Sequence, residues 1–193
     1  WHYWNAWLLL ALLFIPMICM GVVMLVSSPE LLSKRLNNKE KEQMQKHVVA
    51  LSGVMFITGF LLCGFDYHFG WSHMPVWVVI TASLLFLIGY MLYAEVLREN
   101  AYLSRTVEVQ DDQQLIDTGL YSVVRHPMYT ATLLMFLSMP LILGSWWALL
   151  IFFIYPILII KRIQNEEQVL REGLKGYNDY QQRVRWRLIP YVW

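Results

Sequence analysis

Two short stretches of this chain combine residue types able to bind a small polar molecule. The first is Gly119-Leu120-Tyr121-Ser122-Val123-Val124-Arg125-His126-Pro127-Met128-Tyr129, where a turn glycine leads into Arg, His and two Tyr. Pro127 suits the first turn of a helix, where its missing N–H costs nothing. A helix start also offers unpaired backbone N–H groups and a partial positive charge, which suit a carboxylate. The second stretch is Lys161-Arg162-Ile163-Gln164-Asn165-Glu166-Glu167. Arg162 and Glu166 are four apart and share a helix face. A carboxylate there could bind a ribose hydroxyl or an ammonium group, and Arg162 could grip an anionic substrate. On the residues alone both stretches also have an ordinary reading: Arg125 and His126 as anchors beside lipid headgroups, Arg162 and Glu166 as a solvated ion pair.

The elements that must position these residues are apolar helices. The chain has 193 residues, 58% of them hydrophobic and 15% charged, against about a quarter charged in soluble domains. Nine Trp and eleven Tyr are many for this length and belong where a membrane meets water. Residues 1–29 carry no Lys, Arg, Asp or Glu. Within them 6–26 is long enough to cross a bilayer, and with no basic residue before it this stretch reads as a retained helix and not a signal peptide. Residues 48–65 and 75–94 are the second and third uncharged runs, and 126–160 is the fourth. As one helix the fourth would be about 52 Å long, against a hydrocarbon core of about 30 Å. Gly144-Ser145 near its middle, flanked by Pro140 and Trp146-Trp147, predicts a hairpin tip, with arms short enough to thin the bilayer or cross it incompletely.

The basic residues argue for the hairpin. Lys34, Arg35, Lys39, Lys41 and Lys46 lie between the first two spans. Arg98, Arg105 and Arg125 lie between the third and fourth. Lys161, Arg162, Arg171, Lys175, Arg183, Arg185 and Arg187 follow the long run. With five spans all fifteen Lys and Arg share one side, which the positive-inside rule makes cytoplasmic. With four, the last seven would face outward. The expectation is therefore an all-α, polytopic integral membrane protein of five transmembrane helices, N-terminus outside, C-terminus and active site cytoplasmic. Residues 1–97 would supply three helices and a basic, headgroup-facing loop at 34–46. Residues 98–193 would be the catalytic region. The polar site belongs at the cytoplasmic ends of spans three to five, since the 66–74 connection on the other face is too small for one.

Several function classes are disfavoured. His2, His47, His68, His73 and His126 form no pair at helical ligand spacing, so no metal site is expected. Cys19 and Cys63 sit singly in apolar runs and read as packing residues. There is no G-x-G-x-x-G for a Rossmann cofactor domain. A transporter would need polar groups at the bilayer midplane, and no Lys, Arg, Asp or Glu lies deep in any span. A structural or assembly subunit would explain the spans but not the ordered polar motif at 119–129. Nucleic acid is not an expected partner.

The order and spacing of Gly119-x-Tyr121, Arg125-His126-Pro127-x-Tyr129, Glu166-Glu167 and Tyr177-x-x-Tyr180-x-x-x-Val184, ending near Pro190, resemble the isoprenylcysteine carboxyl methyltransferases and the related membrane phospholipid methyltransferases. The likeness covers roughly residues 112–190. Ala131 stands where the motif often has Gly. The resemblance implies a bundle that encloses S-adenosyl-L-methionine at its cytoplasmic side and takes a lipophilic acceptor from the bilayer, with membrane lipids around it. Gln113, Gln114, Leu115, Ile116, Gly119, Tyr121, Arg125, His126, Pro127, Met128 and Tyr129 would form the cofactor site. Glu166 and Glu167 would face it as well. Arg162 would hold the acceptor and take part in catalysis. A carboxylate acceptor is already ionised at neutral pH and needs only positioning. An amine would arrive protonated and need a base, which Glu167 could be. Some sterol reductases look similar in this region, so a membrane reductase using a nicotinamide cofactor is the closest rival.

Overall fold

The computed structural model describes residues 2–36, 43–104, 106–110 and 112–193. Lys39, Lys41 and Arg105 lie outside them. Among the described residues every regular element is helical. Helix α1 spans Trp4–Ser27, α2 Pro29–Leu36, α3 Gln43–Phe69 and α4 Val76–Glu99. After a long connection with one 3-10 turn at Gly119–Ser122 come α5 (Pro127–Ile142), α6 (Trp146–Phe152), α7 (Ile154–Gly173) and α8 (Tyr177–Arg183). The break between α6 and α7 at Phe153 has a local cause: Pro156 has no N–H for the Phe152 carbonyl.

Among the described residues, four helices are long and apolar enough to cross a membrane: α1, α3, α4 and the joined run Trp146–Gly173. The expected fifth span is a shorter arm. α5 has 16 residues, about 24 Å of helix. The hairpin is present: the chain reverses at Leu143–Ser145, with Gly144 in the left-handed region at φ 83°, where a glycine carries no steric cost.

The tip is fastened by buried polar groups. Ser145 caps α6, its Oγ accepting from Ala148 N at 3.0 Å, and donates to Asp66 at the end of α3. Asp66, only 2% exposed, also accepts from Ser72 N and Ser72 Oγ, both at 2.7 Å. Tyr3 Oη donates to the Leu143 carbonyl at 2.5 Å and Asn5 Nδ2 to that of Ile142 at 2.7 Å. The chain's start, the α3–α4 connection and the hairpin tip thus meet at one end. The exposed Trp4, Trp7, Trp71, Trp77, Trp146 and Trp147 gather around it, as an interfacial aromatic belt should. The other end holds α2, the 100–126 connection, the last turns of α7 and the C-terminal tail.

The tightest helix pair is α4 against α5. A Cβ on Gly89 would lie 2.6 Å from Met135 Cγ and 3.0 Å from the Ala131 carbonyl oxygen. Ala131 is fully buried, so the position where the family motif often has Gly serves helix packing and not the pocket.

Two outcomes follow from this packing. With Cys19 and Cys63 replaced by serine, cysteines at positions 34 and 185 should label from the same side of the membrane and one at 71 from the other. Labelling 34 and 185 from opposite sides would remove the hairpin. Gly89→Ala should cost about 1–3 kcal/mol through overpacking, read as a lower unfolding midpoint in detergent. Gly64→Ala, with no atom within 4 Å of the added Cβ, should be neutral or slightly stabilising.

Candidate functional site

The site is organised by Glu167 on α7, of which 1% is exposed. Arg125 Nε donates to its Oε1 at 2.8 Å, and His126 Nε2 lies 3.3 Å from the same oxygen. Arg187 Nε donates to Oε2 at 3.0 Å. Arg125 also binds the carbonyls of Val184 (2.8 Å) and Arg185 (3.1 Å) through Nη1. The backbone continues the junction: Arg125 N–H donates to the Trp186 carbonyl and His126 N–H to that of Arg187, both at 2.9 Å. One carboxylate therefore ties α7, the start of α5 and the C-terminal tail together.

The structure places Glu167 behind the cleft and not among its lining residues, with both of its oxygens held by guanidinium or imidazole donors. It also narrows the expectation of a helix-start anion site at α5. The amides of Arg125 and His126 are taken by the tail, and those of Tyr129 and Thr130 by the His126 carbonyl. Among the described residues, only Met128 N–H of this turn has no protein acceptor.

In front of this junction lies a narrow cleft. Its walls include Gln113, Gln114, Leu115, Ile116, Tyr121 and residues 125–129, together with Arg162 and Glu166. Twelve of the sequence-predicted residues thus share one cavity. Gly119 does not line it. At φ 52° it opens the 3-10 turn, and a Cβ there would collide with the Glu99 carboxylate, which accepts Leu120 N–H at 3.1 Å. Gly119 thereby sets up Tyr121, whose Oη accepts from Asn100 Nδ2 at 2.9 Å and whose carbonyl accepts from Tyr180 Oη at 2.7 Å. Burial pushes the Tyr121 and Tyr180 phenols well above their ordinary pKa, so both stay donors.

Sequence reasoning did not assign Ser104, Thr106, Leu170, Leu174 or Tyr177 to the cleft, yet all line it. Leu174, Tyr177, Tyr180 and Val184 form a small apolar cluster with Val109, Leu115 and Leu170. It holds the 109–116 connection against α7 and α8. The spacing of Tyr177 and Tyr180 was the one available signal. Tyr177 Oη is buried without a hydrogen-bond partner among the described residues, and burial raises its pKa so that it remains a donor.

A second, larger cavity of about 680 Å³ runs between α1, α3, α4, α5 and α7. Leu13, Met20, Val48, Phe56, Met135 and Ile159 represent its apolar lining. The two cavities share Met128, Tyr129 and Arg162. Tyr129 Oη donates to Glu166 Oε2 at 2.5 Å and accepts from Arg162 Nε at 2.8 Å. The Arg162–Tyr129–Glu166 chain is thus the wall between a polar cleft and an apolar groove.

The fold has a solved counterpart in the eukaryotic intramembrane Ras methyltransferase ICMT (isoprenylcysteine carboxyl methyltransferase). The match has a TM-score of 0.68 and covers 96% of this chain and 72% of that one, at 18% identity. Over 91 residues, 46% of this chain, the sequence is 31% identical to the Delta(14)-sterol reductase TM7SF2 of Mus musculus. The chain spans only 22% of that relative's length. The family described as phospholipid methyltransferase matches residues 77–175. That stretch is a little over half of the chain and runs from α4 through the cleft to the end of α7, so this protein belongs to the phospholipid methyltransferase family.

Proposed function

We propose that this protein transfers a methyl group from S-adenosyl-L-methionine to a lipophilic acceptor, and that the acceptor group is a carboxylate on an isoprenylcysteine-like lipid. The observation that carries the reading is the meeting of a polar cleft and an apolar groove at Met128, Tyr129 and Arg162. A water-soluble donor and a lipid-borne acceptor need separate chambers with one shared wall. The even spread of basic residues over the cleft end favours a cytoplasmic cleft and an external N-terminus.

The residues present fit the cofactor chemically. Leu115, Ile116, Val169 and Leu170 offer apolar surface for a base, while Gln113, Gln114, Ser104 and Thr106 offer polar groups for a sugar and an amino acid. Tyr177 Oη supplies a buried donor without an acceptor among the described residues. The cavity itself is about 100 Å³, below the roughly 300–1,000 Å³ of sites that bury a small ligand. Binding therefore requires the cleft to widen. When bound, the cofactor supplies an electrophilic methyl on a sulfonium.

The chain's own work is positioning. Arg162 holds the acceptor anion at the wall, and its planar fork fixes the orientation of a carboxylate. Tyr129 steadies both Arg162 and Glu166. The groove keeps water from the reacting group. An amine acceptor is the second reading, favoured by the family's description. Its proton would then go to Glu166, which lines the cleft, and not to Glu167.

Three measurements test this. Purified protein should bind S-adenosylhomocysteine and not NADPH. The reverse preference would favour the reductase reading. Tyr177→Phe should weaken that binding about fivefold to tenfold, near 1–1.4 kcal/mol, without destabilising the free protein. Unchanged affinity would remove Tyr177 from the site. Arg162→Lys should lower methyl transfer sharply while S-adenosylhomocysteine affinity stays nearly constant. Normal turnover in this variant would reduce Arg162 to a helix-end ion pair worth under about 1 kcal/mol.

A further inference from the structure

The apolar groove is charged at one end only. Among the described residues no Asp or Glu lines it, while Arg162 and Arg35 both do. Arg35 comes from α2, the short helix after the first span, and is half-buried. Its Nη1 donates to the Ser104 carbonyl at 2.9 Å and lies 3.8 Å from Met128 Sδ, and its Nη2 donates to Tyr93 Oη. These partners are all uncharged. Among the described residues no carboxylate pairs with Arg35, whereas Arg125, Arg187, Arg98 and Arg183 each have one. A half-buried guanidinium without a counter-anion is costly unless an anion arrives. Arg35 and Arg162 reach consecutive residues of α5, Met128 and Tyr129. The two cations therefore stand at the same head of the groove, on different elements.

We propose that Arg35 is a specificity-determining residue for the lipid: with Arg162 it forms a two-guanidinium clamp that admits lipids bearing an anionic group, a carboxylate or a phosphodiester, and rejects neutral ones. The bond to the Ser104 carbonyl orients Arg35, the bond to Tyr93 fastens α2 to α4, and Nε with one Nη2 hydrogen has no acceptor among the described residues. The clamp rests on the functional reading above only in taking the groove as the acceptor's chamber.

The test is direct lipid binding in detergent, without cofactor. The probes are an S-farnesyl cysteine carboxylate, its neutral amide, and a lysophospholipid carrying a phosphodiester. Wild-type protein should bind the carboxylate at least tenfold tighter than the amide. Arg35→Gln should cut that preference at least fivefold, and Arg35→Lys should keep most of it. Tyr93→Phe keeps the charge and removes only the tether, so it should retain the preference and decides the matter if Arg35→Gln does not fold. An Arg35→Gln protein with the wild-type carboxylate-to-amide ratio would overturn the proposal. So would a Tyr93→Phe protein that loses the preference, because Arg35 would then act only in fastening α2 to α4. The phosphodiester probe identifies the natural anion: tighter binding than the carboxylate would assign the clamp to a phospholipid headgroup. Protein that shows the carboxylate preference yet binds no S-adenosylhomocysteine would sink the cofactor reading and leave the clamp standing.

Discussion

The Glu167 carboxylate is the interaction on which the rest of the site depends. It receives Arg125, His126 and Arg187 at 2.8 to 3.3 Å, and these come from the two residues just before α5 and from the tail. Removing one partner of such a buried pair costs about 3–5 kcal/mol, because the others keep an uncompensated charge. The cost is local but its effect is not. The tail's carbonyls at 184–187 are held by Arg125 and the 125–126 amides, so loosening Glu167 would also free the back wall of the cleft. Sequence reading gave Glu167 a chemical role because two adjacent acids look alike on paper. One helix step, about 100° of rotation, separates the acid facing the cleft from the acid that holds the fold.

The wall between the chambers follows from the same helix geometry. Arg162 and Glu166 share a face of α7, and α5 presents Tyr129 to both. Tyr129 can serve two cavities because its ring lies between them and its hydroxyl both donates and accepts. A purely apolar wall would leave Arg162 and Glu166 to find partners elsewhere. A purely polar one would let water into the groove. Tyrosine, with an apolar body and one polar end, satisfies both sides.

Much of this was legible in the sequence. The hairpin came from the placement of basic residues and from Gly144-Ser145, features that depend on local chemistry and on one global rule. The residues at 113–116 and 125–129, which line the cleft, were implied by the family resemblance. What was not legible depends on contacts distant in sequence. Arg35 reads as one more charge in a basic run, and only the approach of Tyr93 and Ser104, 58 and 69 residues away, turns it inward. Tyr177 was visible as a motif letter, but its unpartnered hydroxyl is a property of burial. Asp66 looked like the end of a short connection. Its role as the fastening of the hairpin tip needs Ser145, 79 residues on. Composition found the membrane, and periodicity could not find these pairs.

The short fifth helix explains why the polar site is so thoroughly cross-linked. α5 is about 24 Å long, against a hydrocarbon core of about 30 Å. Its tip is tied to the aromatic end of the bundle through Leu143 and Ile142. If that end lies at one membrane boundary, Pro127 and Tyr129 fall several ångströms short of the other. The start of α5 is then sunk below the headgroups, where unpaired polar groups are expensive. Arg125 and His126 can be kept at that depth only because Glu167 and the tail carbonyls meet them there. α7 runs on to Gly173, and that length is what carries Glu167 to meet them.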